Sequence, residues 1–282
     1  MGELKIDRQG GVVLMTLEDP ETRNALSPDM ATAMYQELDR FERDPDGRVL
    51  VLTGADPSFC SGANVRKFDQ TLAELKKERG ATRLPWAAME ARMGSHDVDA
   101  GEAGFGSVSD VPLRIWDVQK PTIAAVNGYA IGVGLGLALS CDIRVASDKA
   151  EFSEAFARMG LVPGDGSCWQ LPRLIGLSNT FLMQYTGDRL NADEALRMNL
   201  VSKVYAHAEM LAKAMELAER LAAGATFSMS LTKYLVHKSM GLDLKESLRL
   251  AQTAQEQARR SEDHREAVSA FLEKRKPDFK GR

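Results

Sequence analysis

Apolar positions along the chain fall into two rhythms, and these divide it. Val12 to Leu17 is a short β-rich run after Gly10-Gly11, and Val49 to Thr53 is a second, closed by Gly54. Between them Ser27-Pro28-Asp29 reads as an N-cap with proline at the first helical position. The helix it opens runs to about Arg43 and stops at Asp44-Pro45-Asp46-Gly47. Pro121 to Asn127 and Cys141 to Ala146 are two further strands, both apolar enough to be buried, and Gly128 to Ser140 between them reads as a loop turning into a helix. Strands alternating with helices predict an α/β core with parallel strands over residues 1–204. Beyond Lys203 the rhythm is helical: Ala208 to Ala222, Thr226 to Lys238, Leu242 to Arg260 and Asp263 to Lys274. Residues 205–282 therefore read as an appended helical module. Residues 66–110 mix charge, glycine and isolated aromatics without a sustained apolar face, so they read as a flexible insert of the kind that is usually functional.

Composition narrows the class. The 282 residues are 44% hydrophobic and 27% charged, enough for a substantial core, and the net charge of −4 gives no electrostatic case for nucleic acid or an anionic membrane. The longest apolar run, Ala130 to Leu139, is interrupted by glycine and far shorter than the roughly 20 residues of a membrane span. Cys60, Cys141 and Cys168 form no CxxC pair and no Cys/His cluster with ligand spacing, so no metal site is expected. An odd cysteine count and a mixed, charged N-terminus make the cytoplasm the default location.

Two glycine-rich segments carry candidate chemistry. Phe59 to Val65 (FCSGANV) follows a strand, and a glycine among small residues lets backbone N–H groups approach a ligand; an ordinary tight turn is the alternative. Asn127 to Leu135 (NGYAIGVGL) feeds a strand into a helix start, where unpaired N–H groups can hold an oxyanion or a phosphate. A dinucleotide turn and simple helix packing compete with that reading. The glycine spacing is GxGxG and not GxGxxG, which weighs against the dinucleotide.

Together with LPRLIG (Leu171 to Gly176) and GDRLNADEALRMNLVSKV (Gly187 to Val204), the pair resembles the enoyl-CoA hydratase/isomerase (crotonase) family. The resemblance implies a crotonase-like spiral of ββα units, a C-terminal helical trimerisation module, and a homotrimer or dimer of trimers. It implies an acyl-CoA substrate, with CoA part of that substrate and no separate cofactor. The two N–H groups that steady a thioester enolate would be those of Ala63 and Val133. The two glutamates of typical hydratases fall on Gly136 and Phe156, neither of which moves a proton.

A further family carboxylate position falls on Gly164, with Asp165 next to it, and Asp165 is expected either to act as acid/base or to cap the helix starting near Ser167. Glu154 is a weaker candidate for the same acid/base role, a solvated or ion-paired side chain being the expected reading, and His96, Asp97 and Asp99 of the insert are expected to be solvated, with closure over the site the alternative. Trp86, Phe105, Trp116 and Trp169 are expected in the core or the acyl pocket. Arg23, Ala25, Leu26, Ser61 and Val65, with Phe271, Lys274 and Arg275 of the terminal run, match positions that contact CoA. Isomerisation, or an atypical hydration or hydrolysis, follows from the missing glutamates. A catalytically silent acyl-CoA-binding paralogue is the alternative.

Overall fold

The computed structural model describes residues 2–63, 85–86, 108 and 110–282. In chain order the elements are β1 (Glu3–Gln9), β2 (Val12–Glu18), α1 (Pro28–Arg43), β3 (Val49–Gly54), β4 (Ser58–Cys60), α2 (Val111–Trp116), β5 (Thr122–Val126), β6 (Tyr129–Ile131) and α3 (Val133–Ser140). There follow β7 (Ile143–Ser147), β8 (Glu151–Ser153), a 3-10 turn (Ala155–Met159), α4 (Ser167–Thr186), β9 (Leu190–Asn191), α5 (Ala192–Arg197) and β10 (Lys203–Tyr205). Four helices close the chain: α6 (His207–Ala222), α7 (Thr226–Ser239), α8 (Leu244–Arg260) and α9 (Glu262–Glu273).

Successive turns of chain lay a long strand in one sheet and a short strand in a second. The six-stranded sheet runs β1-β2-β3-β5-β7-β10 and the four-stranded sheet β4-β6-β8-β9. The pairs β3/β4, β5/β6 and β7/β8 are thus rungs of one spiral, with a helix after the second and third, as a ββα repeat requires. Pairing is parallel except at β1–β2 and β8–β9.

The period of two explains how the large sheet is covered on both faces. Val13, Met15, Leu50, Leu52, Ala124 and Val126 point into the core shared with α1 and α3, whereas Val12, Val49, Val51, Ile123, Ala125 and Val145 point the other way. The second face is closed by α6 through Met210, Ala214, Ala218 and Ala222 at every fourth position, the three alanines letting the helix lie close to the sheet. The helical run after Lys203 therefore begins against the sheet, and only α7, α8 and α9 extend from it. No helix among the described residues is long and apolar enough to cross a membrane.

Candidate active site

The parallel register of the short sheet gathers the candidate residues at one edge. Cys60 of β4 pairs with Ala130 of β6, and Ile131 of β6 pairs with Ser153 of β8, so the residues that follow all three strands emerge side by side. Crevices beyond the carboxyl ends of parallel strands are where α/β folds bind ligands. After β4 come Ser61, Gly62 and Ala63; after β6, Gly132 and Val133; after β8, Glu154.

Each segment is held by backbone bonds. Gly62 has φ +100°, and a β-carbon on it would lie 2.9 Å from the Ile131 carbonyl oxygen, so the first two segments are in close contact. Leu26 N donates to Gly62 O (2.8 Å), Ser61 N donates to Arg23 O (3.1 Å), and Leu26 and Ala63 form a parallel bridge. The RNALS segment is therefore a backing strand for the Ala63 loop. Ala25 and Leu26 are buried, which leaves backbone as what they present at this edge, while Arg23 is exposed and lies 5.4 Å over the Tyr129 ring. Asn24, which the motif reading passed over, anchors the backing: its Nδ2 donates to Ala55 O (2.7 Å) and Ser58 O (2.6 Å), and its Oδ1 accepts from Asp19 N (2.8 Å). The available signal was the residue type, since asparagine tolerates the left-handed region that Asn24 occupies here (φ 59°).

Val133 opens α3. The first intrahelical bond runs from Gly136 N to Gly132 O (3.0 Å), so the amides of the first turn have no acceptor in their own helix and project at the positive end of its dipole. Gly134 presses this turn onto β4: a β-carbon there would meet Cys60 O at 2.2 Å.

One turn further on, Gly136 lies under Asp165. A β-carbon on Gly136 would be 2.8 Å from Asp165 Cβ and 2.9 Å from its Oδ2, so the aspartate side chain fills the volume that a side chain at 136 would take. Asp165 is 2% exposed. Its Oδ1 accepts from Ser167 N (3.1 Å), which makes it the turn residue before α4, and its Oδ2 has no hydrogen-bond partner among the described residues. The N-cap of α4 is Gly166, with no side-chain cap bond, so Asp165 is not the cap but closes the turn before it through one oxygen, and its other oxygen is left without a partner among the described residues. Burial raises its carboxyl above the usual range.

Glu154 departs from expectation. It is neither solvated nor ion-paired but 0% exposed, accepts from Ser167 Oγ at 3.0 Å through Oε2, and leaves Oε1 without a partner among the described residues. Burial first and the neighbouring Asp165 charge second push it well above the usual carboxyl range. The sequence offered no sign of this, because the enclosure comes from β6–β8 pairing. Phe156 packs beside the same edge, its ring 3.6 Å from where a Gly132 β-carbon would be.

Other candidates are placed elsewhere. Trp116 and Trp169 line a cavity of about 410 Å³ with Leu139, Leu174, His237 and Met240. Trp116 stacks on His237 with centroids 3.8 Å apart. That chamber is at the C-terminal end of α3, away from Val133. Trp86, expected in the core or pocket wall, is 84% exposed. Phe271 and Lys274 are exposed at the end of α9, which packs on α8, and Arg275 is held by Glu266 and Glu273. Val65, His96, Asp97, Asp99 and Phe105 lie outside the described residues.

A protein-family model described as enoyl-CoA hydratase/isomerase matches residues 7–93 and 87–282. The chain is 32% identical over 280 residues to the short-chain-enoyl-CoA hydratase of Clostridium acetobutylicum, spanning 98% of this chain and 97% of that protein. It is 33% identical over 274 residues to the 1,2-epoxyphenylacetyl-CoA isomerase of Escherichia coli, spanning 96% of each. The solved structure of an enoyl-CoA hydratase from Bacillus anthracis superposes with a TM-score of 0.83 at 28% identity, covering 99% of both chains.

Proposed function

Because the chain belongs to the enoyl-CoA hydratase/isomerase family, we propose that it moves the double bond of an enoyl-CoA thioester, with Asp165 as acid/base. The observation that carries this reading is the Asp165 carboxyl above Gly136, one helical turn from the Val133 amide. Asp165 takes a proton from C2 of a 3-enoyl thioester. The electron pair moves into the thioester carbonyl, and the resulting dienolate oxygen is held by the N–H groups of Ala63 and Val133. Such preorganised donors contribute about 10²–10³-fold each. Return of the proton from Asp165 to C4 leaves the double bond between C2 and C3. The pantetheine and nucleotide of CoA run along Arg23, Ala25, Leu26 and Ser61.

A panel of thioesters tests the reading. Isomerisation of a 3-enoyl-CoA is expected to exceed hydration of crotonyl-CoA by at least about 10²-fold, the low end of what a missing acid/base group costs. Fast hydration of crotonyl-CoA that survives Asp165→Asn would sink it. Tight CoA-ester binding without turnover of either thioester would instead identify a silent binding paralogue.

The reading includes self-association into a homotrimer or a dimer of trimers. It is supported by the large apolar side chains left open on α4 (Leu177 65%, Leu182 60%, Tyr185 73% exposed) and on α9 (Phe271 82%, Leu272 74%), which an interface would remove from water. In such an assembly Phe271 and Lys274 reach the CoA of a neighbouring copy. Sedimentation is expected to give three or six times the 30.9 kDa chain mass, and a monomer at micromolar concentration would contradict it.

A further inference from the structure

We propose that Glu154 is the proton partner of Asp165: the two carboxyl groups hold one proton between them above Gly136, and Glu154 acts on the reaction through Asp165 as a positioning residue. The inference rests on the reading of Asp165 as acid/base.

Three features of the fold bring the pair together. Gly132 N donates to Ser153 O (2.9 Å), so Glu154, the next residue, leaves β8 beside the start of α3. Ser167 then ties both carboxyls to the first turn of α4, its N–H donating to Asp165 and its hydroxyl to Glu154, while Gln184 Nε2 donates to the same hydroxyl at 3.4 Å. Finally, Glu154 Oε1 and Asp165 Oδ2 are enclosed and without hydrogen-bond partners among the described residues.

Two carboxylates buried together without a cation cannot both stay charged, because each is desolvated and each repels the other. Among the described residues the surroundings supply no cation. The α3 segment VGLGLALS has no titratable side chain, and α4 presents the Cys168 thiol, itself pushed up by burial and by both carboxyls, alongside neutral Gln170 and Gln184. Arg158 of the 3-10 turn is engaged with Thr186 O (3.1 Å) and Asp188 (2.8 Å). Asp165 accepts a fixed backbone N–H from Ser167, which favours its charged form, whereas Glu154 accepts only the Ser167 hydroxyl, so Glu154 keeps the proton and Asp165 carries the charge. During turnover Asp165 gains the C2 proton and gives it up at C4, and the proton on Glu154 stays in place. Loss of that proton would put a second negative charge beside the forming dienolate and slow the reaction.

The pH profile of kcat on a 3-enoyl-CoA, measured for wild type, Glu154→Gln and Asp165→Asn, tests this. Glu154→Gln keeps a neutral group of the same shape. Its kcat at neutral pH is expected to stay within about tenfold of wild type, short of the 10²-fold or more that loss of an acid/base gives. The alkaline fall of the wild-type profile is expected to vanish. Infrared spectra at pH 7 are expected to show a protonated carboxyl band in wild type that Glu154→Gln lacks.

An unchanged alkaline limb, an equal loss of kcat at every pH, or a carboxyl band that survives the substitution would each overturn the proposal. Full activity of Asp165→Asn would overturn the prior reading of Asp165, whereas an inactive Asp165→Asn with an unchanged Glu154→Gln limb defeats the pair alone. Stability supplies a readout that needs no turnover. With Glu154 raised on folding, its own contribution to wild-type stability is full below the ordinary carboxyl value of 4.5 and is lost as pH rises through the folded value. The urea midpoint of Glu154→Gln should fall less over that range, and parallel curves would contradict the proposal.

Discussion

Asp165→Asn is expected to lower kcat for double-bond isomerisation by about 10²–10⁴-fold, the usual contribution of a positioned acid/base. The substitution is well controlled by the local geometry. An asparagine Oδ1 still accepts from Ser167 N, as Asp165 does at 3.1 Å, so the turn into α4 is kept. The new Nδ2 takes the position of the unpartnered Oδ2 and can donate to Glu154. Stability should therefore change by no more than about 1 kcal/mol, since a buried charge is removed and no bond is lost. KM should change little, because the thioester oxygen and CoA are held elsewhere. Steady-state kinetics with urea denaturation on the same samples separates the two quantities. A parallel collapse of folding and activity would assign Asp165 to structure.

The second large effect is expected at Gly134. Alanine there would place its β-carbon 2.2 Å from the carbonyl oxygen of Cys60, and that oxygen belongs to the backbone of β4, not to a side chain that can turn aside. Helix α3 must then lift from β4. Alanine's helix preference returns about 1 kcal/mol, but overpacking a tight core contact costs about 3 kcal/mol or more. The catalytic loss should exceed what lower stability accounts for. Lifting α3 moves the Val133 amide away from Ala63, and a displacement of about 1 Å in a positioned group can cost 10²-fold. Gly241→Ala is the matched control, since its β-carbon would meet only Lys238 O at 4.0 Å. Circular dichroism melts with kcat measured well below the midpoint check both parts.

The long elements were legible because their signals are local. Ser27 before Pro28 marks the start of α1, and Ser27 Oγ does accept from Met30 N (3.2 Å). The apolar runs at 12–17, 49–53, 121–127 and 141–146 became β2, β3, β5 and β7. The short sheet was not legible. Strands of three residues such as β4, β6 and β8 carry no measurable period, and β6 lay inside a stretch that reads as loop. The consequence reached the site. Ala63 and Val133 stood out through glycine, whereas Glu154 looked like a surface residue because its burial depends on which strand pairs with β8. Gly136 reads as a deletion of chemistry, and only the fold shows that another segment fills the gap.

The parallel rungs of the short sheet have a consequence for how such a site changes over generations. Every rung ends at the same edge, so a functional group can leave one turn of the spiral and reappear on the next without leaving its place in space. A glycine on α3 and an aspartate in the following loop, 29 positions apart in the chain, compete for one volume. In a fold of this kind the unit of inheritance at the site is the volume, and the column of an alignment is a poor guide to whether the chemistry has been lost.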